Sequence, residues 1–275
     1  MINIGAYNEL EILKEVDFGV YLGDGNVEIL MPAKWVPPGS RIGDVLNVFV
    51  FRDSDDRLIA TTIKPFAIAN TFAFLEVKQV NNIGAFLDWG MDKDLLVPFR
   101  EQAIPMEQGK SYVVFVYVDD ESDRLIASSK LSKFIERDRA SVQNGDVVDL
   151  LIYSKTELGY NAIINNLHTG LIYQNELFEN IRIGDHLKGF VKNVREDFKI
   201  DLSLQKSGFE LVDDVKWKIL NILKTENGFL PLHDNSTPEE IKIKLQISKK
   251  AFKKAIGTLY KEKLVMLTDK GIKLL

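Results

Sequence analysis

The sequence lacks the residues on which several classes of protein depend. It contains no cysteine among its 275 residues, which excludes disulfides, thiol catalysis and zinc–thiolate sites and is typical of a reducing cytoplasm. No apolar run approaches the roughly 20 residues that span a bilayer. The segment Met1–Gly5 has no basic stretch followed by an apolar core, so we expect no secretory signal. We therefore expect a cytoplasmic protein with no membrane partner.

Histidine is also scarce, and the constellations typical of enzymes do not stand out. The three histidines, His168, His186 and His233, lie apart and lack the spacing of metal ligands. No Ser-His-Asp order, phosphate-binding glycine loop or carboxylate constellation is evident. We therefore expect no catalytic residues, no metal and no cofactor.

Basic residues are outnumbered in most of the chain but not at its C-terminal end. The formal net charge is −5, and residues 1–146 carry 15 basic and 23 acidic side chains, a net of −8. Residues 147–206 have a net charge of −1, whereas residues 211–275 carry 13 basic and 8 acidic side chains, a net of +5. Because a polyanion responds to local charge, the C-terminal end is where a phosphate backbone would be attracted.

One short phrase occurs twice in the chain, and a looser form occurs a third time. Arg57–Thr61, Arg124–Ser128 and Lys199–Ser203 each follow an acidic stretch. Three further residues upstream of this phrase also recur in each copy. Their spacing is 65 or 66 residues from the first copy to the second, and 75 residues from the second to the third. These anchors are Gly19, Gly84 and Gly159; Leu30, Leu96 and Leu171; and Gly43, Gly109 and Gly184. Anchors held at one spacing indicate three homologous folding units.

Each unit is predicted to form five short β-strands separated by turns. In the second unit the strands are rich in Val, Ile, Phe and Tyr, with Gly, Asp and Pro at the breaks. They are Phe74–Val80, Gly84–Trp89, Asp94–Pro98, Tyr112–Val118 and Arg124–Ser128. Five short strands in roughly 65 residues suit a small closed barrel of the OB type. The break from Phe99 to Gly109 would cross one end of this barrel.

The repeated motifs resemble the S1 domain, an RNA-binding OB-fold named for a ribosomal protein. The second unit has Gly-Ala-Phe-Leu at 84–87 and Leu-Val-Pro-Phe at 96–99. The first unit has Asp-Phe-Gly-Val-Tyr-Leu at 17–22, and the third has Gly-Leu-Ile-Tyr at 170–173 and Ile-Gly-Asp at 183–185. The resemblance implies a nucleic-acid-binding barrel in each unit.

After residue 208 the periodicity changes from 2 to 3.6, which predicts helices. A first helix would carry one apolar face and end at Gly228; that face consists of Val215, Ile219, Ile222 and Leu223. Thr237 would cap a second helix, with Pro238 at its first position and Glu240 completing a capping box.

A third helix, residues 249–260, would follow the cap Ser248. Its buried stripe would consist of Phe252, Ile256, Leu259 and Tyr260, and its other faces would carry Lys249, Lys250, Lys253 and Lys254. Residues 264–275 are predicted to form a hairpin. Three helices and a terminal hairpin make a winged helix, in which the third helix lies against nucleic acid.

We therefore expect a mainly β chain of three tandem five-stranded OB-fold barrels of the S1 type, followed by a small α+β winged-helix domain. The barrels would occupy residues 1–66, 67–133 and 134–206, and the winged helix residues 207–275. This arrangement resembles the conserved virulence factor B family of bacterial RNA-binding regulators, most specifically over residues 248–261. The resemblance implies RNA binding linked to control of gene expression, without enzymatic activity.

Aromatic side chains on the barrel faces are candidates for stacking on bases, which is worth roughly 1–3 kcal/mol per base. If Ala85 and Leu87 pack inward, Phe86 stands on the outer face, and Tyr21 is its counterpart in the first unit. These rings could instead cover apolar surface or contact a neighbouring domain. Less certain candidates are Phe18, Trp35, Trp89 and Phe99.

The third unit departs from the pattern of the other two. Asn161 stands in place of Phe86, and Tyr173 stands where S1 domains usually carry histidine and where the first two units have Pro32 and Pro98. Together with the acidic charge of the first two units, these differences favour an RNA site in the third unit and the third helix. The lysines expected to meet phosphate there are Lys188, Lys192, Lys199, Lys249, Lys250, Lys253 and Lys254.

Several alternatives remain open at this point. Arg57 and Arg124 could contact phosphate or pair with the preceding aspartates, and the lysines of the third helix could form a solvated face. We expect a single-stranded RNA-binding protein that acts on mRNA or beside the ribosome, through lysine–phosphate contacts and ring stacking. The alternatives are a DNA-binding regulator led by the winged helix and a scaffold whose acidic barrels dock onto other proteins.

Overall fold

A computed structural model describes residues 2–53, 55–177, 180–205 and 209–275. These residues form three closed five-stranded barrels, followed by a small domain of three helices and a three-stranded sheet. The mainly β fold class predicted from the sequence is therefore confirmed. The chain divides into two compact units, Met1–Ile135 and Glu136–Leu275.

The first unit contains barrels 1 and 2. The strands of barrel 1 are β1 (Ala6–Val16), β2 (Gly19–Gly23), β3 (Glu28–Pro32), β4 (Val45–Arg52) and β5 (Leu58–Thr61). The strands of barrel 2 are β6 (Thr71–Val80), β7 (Gly84–Leu87), β8 (Leu95–Pro98), β9 (Ser111–Val118) and β10 (Leu125–Ser128). In each barrel the third and fifth strands are parallel neighbours, and all other pairs are antiparallel.

The second unit begins with barrel 3. Its strands are β11 (Val147–Lys155), β12 (Gly159–Ile164), β13 (His168–Tyr173), β14 (His186–Val194) and β15 (Ile200–Ser203), in the order β11-β12-β13-β15-β14. The proposed boundary between residues 206 and 207 lies outside the described residues. The other two, at 66/67 and 133/134, fall between β5 and β6 and between β10 and β11.

A β-bulge in the first strand of each barrel is tied to the glycine turn before the fourth strand. In barrel 1 the register of β1 with β2 shifts between Ile12 and Lys14. Ile12 accepts a hydrogen bond from the Gly43 N–H at 2.9 Å and donates one to the Asp44 carbonyl at 2.9 Å. Gly43 has φ +94°, which glycine adopts at little cost. The same two bonds join Val77 to Gly109 and Lys110 in barrel 2, and Ile152 to Gly184 and Asp185 in barrel 3.

A second repeated glycine lets the second and third strands of each barrel approach closely. Gly19, Gly84 and Gly159 stand opposite Pro32, Pro98 and Tyr173, respectively. A Cβ atom on these glycines would lie 2.1, 2.3 and 2.0 Å from a carbonyl oxygen of the neighbouring strand. The repeated glycine is therefore a steric requirement of the barrel.

Residues of barrels 1 and 2 form one shared hydrophobic core, in addition to a separate core inside barrel 1. The ring of Phe49, on β4, is fully buried and lies 5.9 Å from that of Trp89, which follows β7. Phe51 and Ile59 of barrel 1 belong to the same cluster as Leu87 of barrel 2. The indole N–H of Trp89 donates to the Lys93 carbonyl at 2.5 Å. Trp89 therefore holds the two barrels together.

The segment expected to cross one end of barrel 2 is anchored by a glutamine. The Gln102 amide donates to the Val97 carbonyl at 3.1 Å, and its oxygen accepts from the Met106 N–H at 3.0 Å. Met106 is buried in the shared core, so this segment closes over apolar side chains.

The C-terminal domain consists of α1 (Phe209–Thr225), β16 (Phe229–Leu230), α2 (Pro238–Leu245), α3 (Lys249–Lys261), β17 (Val265–Thr268) and β18 (Gly271–Leu274). The expected helix caps are present: Thr237 and Glu240 form the capping box, and Ser248 accepts from the Ala251 N–H. β16 pairs with the expected hairpin and adds a third strand. None of the helices in the described residues is long and apolar enough to cross a membrane.

We expect Gly159→Ala to destabilise barrel 3 by about 3 kcal/mol, because the new Cβ would overlap the Ile172 carbonyl. The matched control is Gly257→Ala in α3, where a Cβ meets nothing within 4 Å and helix propensity favours alanine by about 1 kcal/mol. Urea denaturation of the two variants measures both effects. Equal stabilities would contradict the steric argument.

Candidate nucleic-acid interface

Helix α3 separates an apolar side from a basic side. Its buried residues are Ala251, Phe252, Ala255, Ile256 and Leu259, which pack in one core with α1, α2 and the sheet. Lys250, Lys253 and Lys254 are exposed, and Lys249 is half-buried. Lys253 pairs with Asp234 at 3.0 Å, so part of its charge is already balanced. The predicted lysines therefore lie on one helix, as the sequence indicated.

Tyr260 was expected in the buried stripe of α3, and this expectation is wrong. Its side chain is 57% exposed. Eight residues after Phe252, it is rotated by about 80° around the helix axis, which places it beyond the edge of the core. The ring is thus available on the outer surface of the domain.

A groove of about 550 Å³ lies on the outer face of barrel 3, beside β13 and β15. Its walls include Asn161, Tyr173, Phe198 and Lys199. Of the residues predicted for barrel 3, the structure brings Tyr173 and Lys199 together here. Lys188 and Lys192 lie on β14, where Lys188 pairs with Asp149 at 2.6 Å and Lys192 pairs with Glu176.

An arginine–aspartate pair fixes the position of the Tyr173 ring. The Arg195 guanidinium donates to the two Asp201 carboxylate oxygens at 3.1 and 2.7 Å, and also to the Tyr173 hydroxyl at 2.5 Å. The hydrogen bonds to Asp201 and the charge of its carboxylate raise the pKa of Arg195 above its ordinary value. Arg195 is held by a carboxylate and fixes the Tyr173 ring in the groove, whereas Arg137, the other arginine of the wall, is exposed.

Lys199 is also paired within its own turn. Its ammonium lies 2.7 Å from an Asp197 carboxylate oxygen, and this hydrogen bond lowers the pKa of Asp197. Both side chains are largely exposed, so the pair contributes little to stability. A phosphate would have to compete with this aspartate for Lys199.

Phe198 is a groove residue that the sequence analysis missed. It has φ +60° and its ring is 46% exposed. A bulky side chain in this left-handed region costs about 1 kcal/mol or more. The sequence did contain a signal for this residue. The repeat aligns Phe198 with Asp56 and Asp123, so a phenyl ring replaces a carboxylate in a polar turn.

The arginines of the first unit face aspartates. Arg57 pairs with the preceding Asp53 at 2.7 Å, as one alternative predicted. Arg124 instead pairs with Asp56 of barrel 1 at 2.7 Å, and in return Arg52 of barrel 1 pairs with Asp123 of barrel 2 at 3.2 Å. Arg124, which the sequence offered as a phosphate contact, therefore forms a salt bridge between barrels 1 and 2.

The aromatic residues of barrels 1 and 2 that are candidates for base stacking have different environments. Phe86 is half-buried and lines a groove of about 490 Å³ between barrels 1 and 2. Tyr21 is half-buried with the Lys14 ammonium 4.6 Å from its ring centroid. Phe18 and Phe99 are exposed, whereas Trp35 is half-buried against Phe51. Trp89 is only 4% exposed and is not a stacking surface, because it is buried between the barrels.

The buried ionisable side chains have structural partners. His168 lies 2.7 Å from the Ser141 hydroxyl, but its Nε2 also accepts from the Ser141 N–H and its Nδ1 faces the Glu136 carbonyl, so the ring ties a loop to β13. Glu101 is 7% exposed with the Lys133 ammonium 2.9 Å away. In the described part of the chain, no three His, Asp or Glu side chains cluster in a way that could hold a metal ion.

Comparisons with known proteins agree with this architecture. A family model for the S1 domain matches residues 4–63 and 71–130, and a model for the CvfB-like winged helix domain matches residues 217–274. The chain is 28% identical over 267 residues to YitL of Bacillus subtilis, covering 94% of this chain and 89% of YitL. It is 25% identical over 242 residues to conserved virulence factor B of Staphylococcus saprophyticus, covering 85% and 81%, respectively.

Among solved structures, the chain aligns with a crystal structure of a multidomain protein with nucleic acid binding domains from Streptococcus pneumoniae. The TM-score is 0.43 at 23% sequence identity, and the alignment covers 99% of this chain and 98% of the other.

We expect Lys133→Met to destabilise barrel 2 by about 1–3 kcal/mol at pH 7, because it leaves a buried carboxylate without its cation. Burial alone would raise the pKa of Glu101, but hydrogen bonds from Ser128 and Lys133 outweigh burial and lower it. A lowered pKa stabilises the fold above the unfolded pKa, and this stabilisation is lost as the pH falls.

The stability difference between Lys133→Met and the parent should therefore shrink below about pH 4. Urea denaturation at pH 7 and at pH 3 measures this change. The Glu101→Gln/Lys133→Met double variant is the control, since it removes both charges and should recover part of the loss. A difference independent of pH would show that the ion pair is not its cause.

Proposed function

Because this chain belongs to the family that joins S1 domains to a CvfB-like winged-helix domain, we propose that it binds single-stranded RNA and regulates gene expression after transcription. Its S1 domains are nucleic-acid-binding modules. The choice of RNA as ligand, a site on mRNA or beside the ribosome, a non-enzymatic role and a cytoplasmic location are parts of the proposal.

The observation that carries the proposal is the basic outer surface of α3. Lys250, Lys253 and Lys254 project from the helix face opposite the buried stripe. The surrounding residues 211–275 have a net charge of +5, against −8 for residues 1–146. A phosphate backbone is attracted to local positive charge, so α3 supplies the main electrostatic contact.

The groove of barrel 3 supports a single-stranded rather than a duplex ligand. Its walls combine aromatic rings with one lysine and two arginines, of which Arg195 is held by Asp201. Rings of this kind stack on unpaired bases, whereas the bases of a duplex are already stacked on one another. Barrel 3 and α3 belong to the same compact unit, so one ligand strand could use both.

Duplex DNA is the competing ligand, because the third helix of a winged helix commonly reads a DNA groove. In that case the winged helix would bind the DNA and the barrels would have only a secondary part in binding. Competition of unlabelled single-stranded RNA and duplex DNA of equal length for the protein distinguishes the two ligands, and displacement by duplex DNA alone would favour the DNA-binding role.

We expect Lys250→Ala/Lys253→Ala/Lys254→Ala to weaken binding of a fluorescent oligouridylate at least tenfold in low salt. Each phosphate contact that is lost should also reduce the slope of log K against log salt by about 0.7. Fluorescence anisotropy over a series of salt concentrations measures both quantities.

The matched control removes three exposed lysines from the acidic unit, in Lys64→Ala/Lys78→Ala/Lys110→Ala. This variant has the same net charge as the α3 variant but should keep most of its affinity and its salt slope. Equal losses in both variants would indicate a response to total charge alone. Intact binding by the α3 variant would place the RNA site elsewhere.

A further inference from the structure

The turn between β14 and β15 holds a phenyl ring for which the fold gives no reason. Phe198 has φ +60°, a conformation that bulky side chains rarely adopt. The residue is 46% exposed, so burial offsets the backbone strain only in part. Strained residues that persist in a fold are enriched at ligand-binding sites.

The other two barrels form the same turn without an aromatic residue. Asp56 and Asp123 occupy the equivalent positions, with φ +61° and +53°. Aspartate tolerates the left-handed region because its short polar side chain can bond locally. At the junction of barrels 1 and 2, Asp56 pairs with Arg124 and Asp123 pairs with Arg52. The turn itself therefore does not need a phenyl ring.

The backbone on which the ring stands is firmly held. The Phe198 N–H donates to the Arg195 carbonyl at 3.0 Å, and the Arg195 N–H donates to the Lys199 carbonyl at 2.9 Å. The Arg195 side chain is in turn fixed by Asp201. The ring is thus presented from a rigid turn, which reduces the entropy lost when a ligand binds.

The ring lines the groove beside the position where the other barrels carry an aromatic residue. Phe86 and Tyr21 correspond to Asn161 in barrel 3, whose amide donates to the Ser154 hydroxyl at 3.0 Å. Asn161 and Phe198 line the same groove, together with the exposed Leu158 and the half-buried Tyr173. Phe198 therefore restores an exposed aromatic surface to a barrel that has lost one.

We propose that Phe198 is the residue on which barrel 3 stacks an unpaired base of single-stranded RNA. This inference rests on the proposed function and assigns its base contact to one side chain. Lys199, the next residue, lies beside the ring and can release Asp197 to meet the adjoining phosphate. The strain at Phe198 is retained because the ring contributes to binding rather than to folding.

The test is Phe198→Asn, because asparagine adopts the left-handed region readily and removes only the ring. We expect its urea midpoint to equal or exceed that of the parent protein. Its affinity for a fluorescent oligouridylate should fall about 5- to 100-fold, the range expected for one lost stacking contact. The salt dependence of binding should stay unchanged, since no phosphate contact is removed.

Two further variants serve as controls. Phe198→Tyr keeps an aromatic ring and should bind within about twofold of the parent protein. Phe66→Asn removes an exposed aromatic residue from the segment between barrels 1 and 2 and should leave the affinity unchanged. A base analogue whose fluorescence is quenched by stacking, placed in the oligouridylate, should lose its quenching with Phe198→Asn and keep it with Phe198→Tyr.

Phe198→Asn that binds RNA as tightly as the parent protein would overturn the inference and leave the proposed function standing. Unfolding of both Phe198→Asn and Phe198→Asp would also overturn it, because the ring would then be structural. If the parent protein bound no RNA, the proposed function and this inference would fall together.

Discussion

The pair of hydrogen bonds between the first-strand bulge and the glycine turn is the constraint on which each barrel depends. In barrel 1, Ile12 both accepts from Gly43 and donates to Asp44. A bulge bends its strand sharply, and here the bend lets one long strand pair with both the second and the fourth strands of the barrel. The turn that secures the bend leads directly into the fourth strand. Because the same bonds recur at Val77 and Ile152, all three units close in the same way despite their different surfaces.

A common frame leaves each barrel free to use its surface turns differently. The position before the repeated basic residue holds Asp56, Asp123 or Phe198, all in the left-handed conformation. In the first unit the two aspartates pair with arginines across the junction of barrels 1 and 2. In barrel 3 the same position presents a ring to a groove. Divergence at this one position distinguishes two barrels whose turns pair with each other from a barrel whose turn presents a ring to a groove.

Much of the fold could be predicted from the sequence because its signals are local or steric. Gly159 is needed where two strands nearly touch, and Thr237 with Glu240 marks a helix start through bonds within four residues. What escaped prediction depends on contacts between distant residues. The burial of Trp89 against Phe49 and the pairing of Arg124 with Asp56 require knowledge of how two barrels meet. The exposure of Tyr260 at the edge of a helix stripe and the exposure of Phe198 likewise depend on which surfaces neighbouring elements cover.

The core shared by barrels 1 and 2 has a consequence for synthesis of the chain. Phe49 and Phe51 are buried partly by side chains of barrel 2, including Trp89. Because the ribosome releases the N-terminus first, barrel 1 emerges before the residues that cover this apolar face exist. These apolar side chains of barrel 1 are therefore covered only when barrel 2 has also emerged. Codons that slow translation between the two barrels would prolong the exposure of this apolar surface to chaperones and to neighbouring chains.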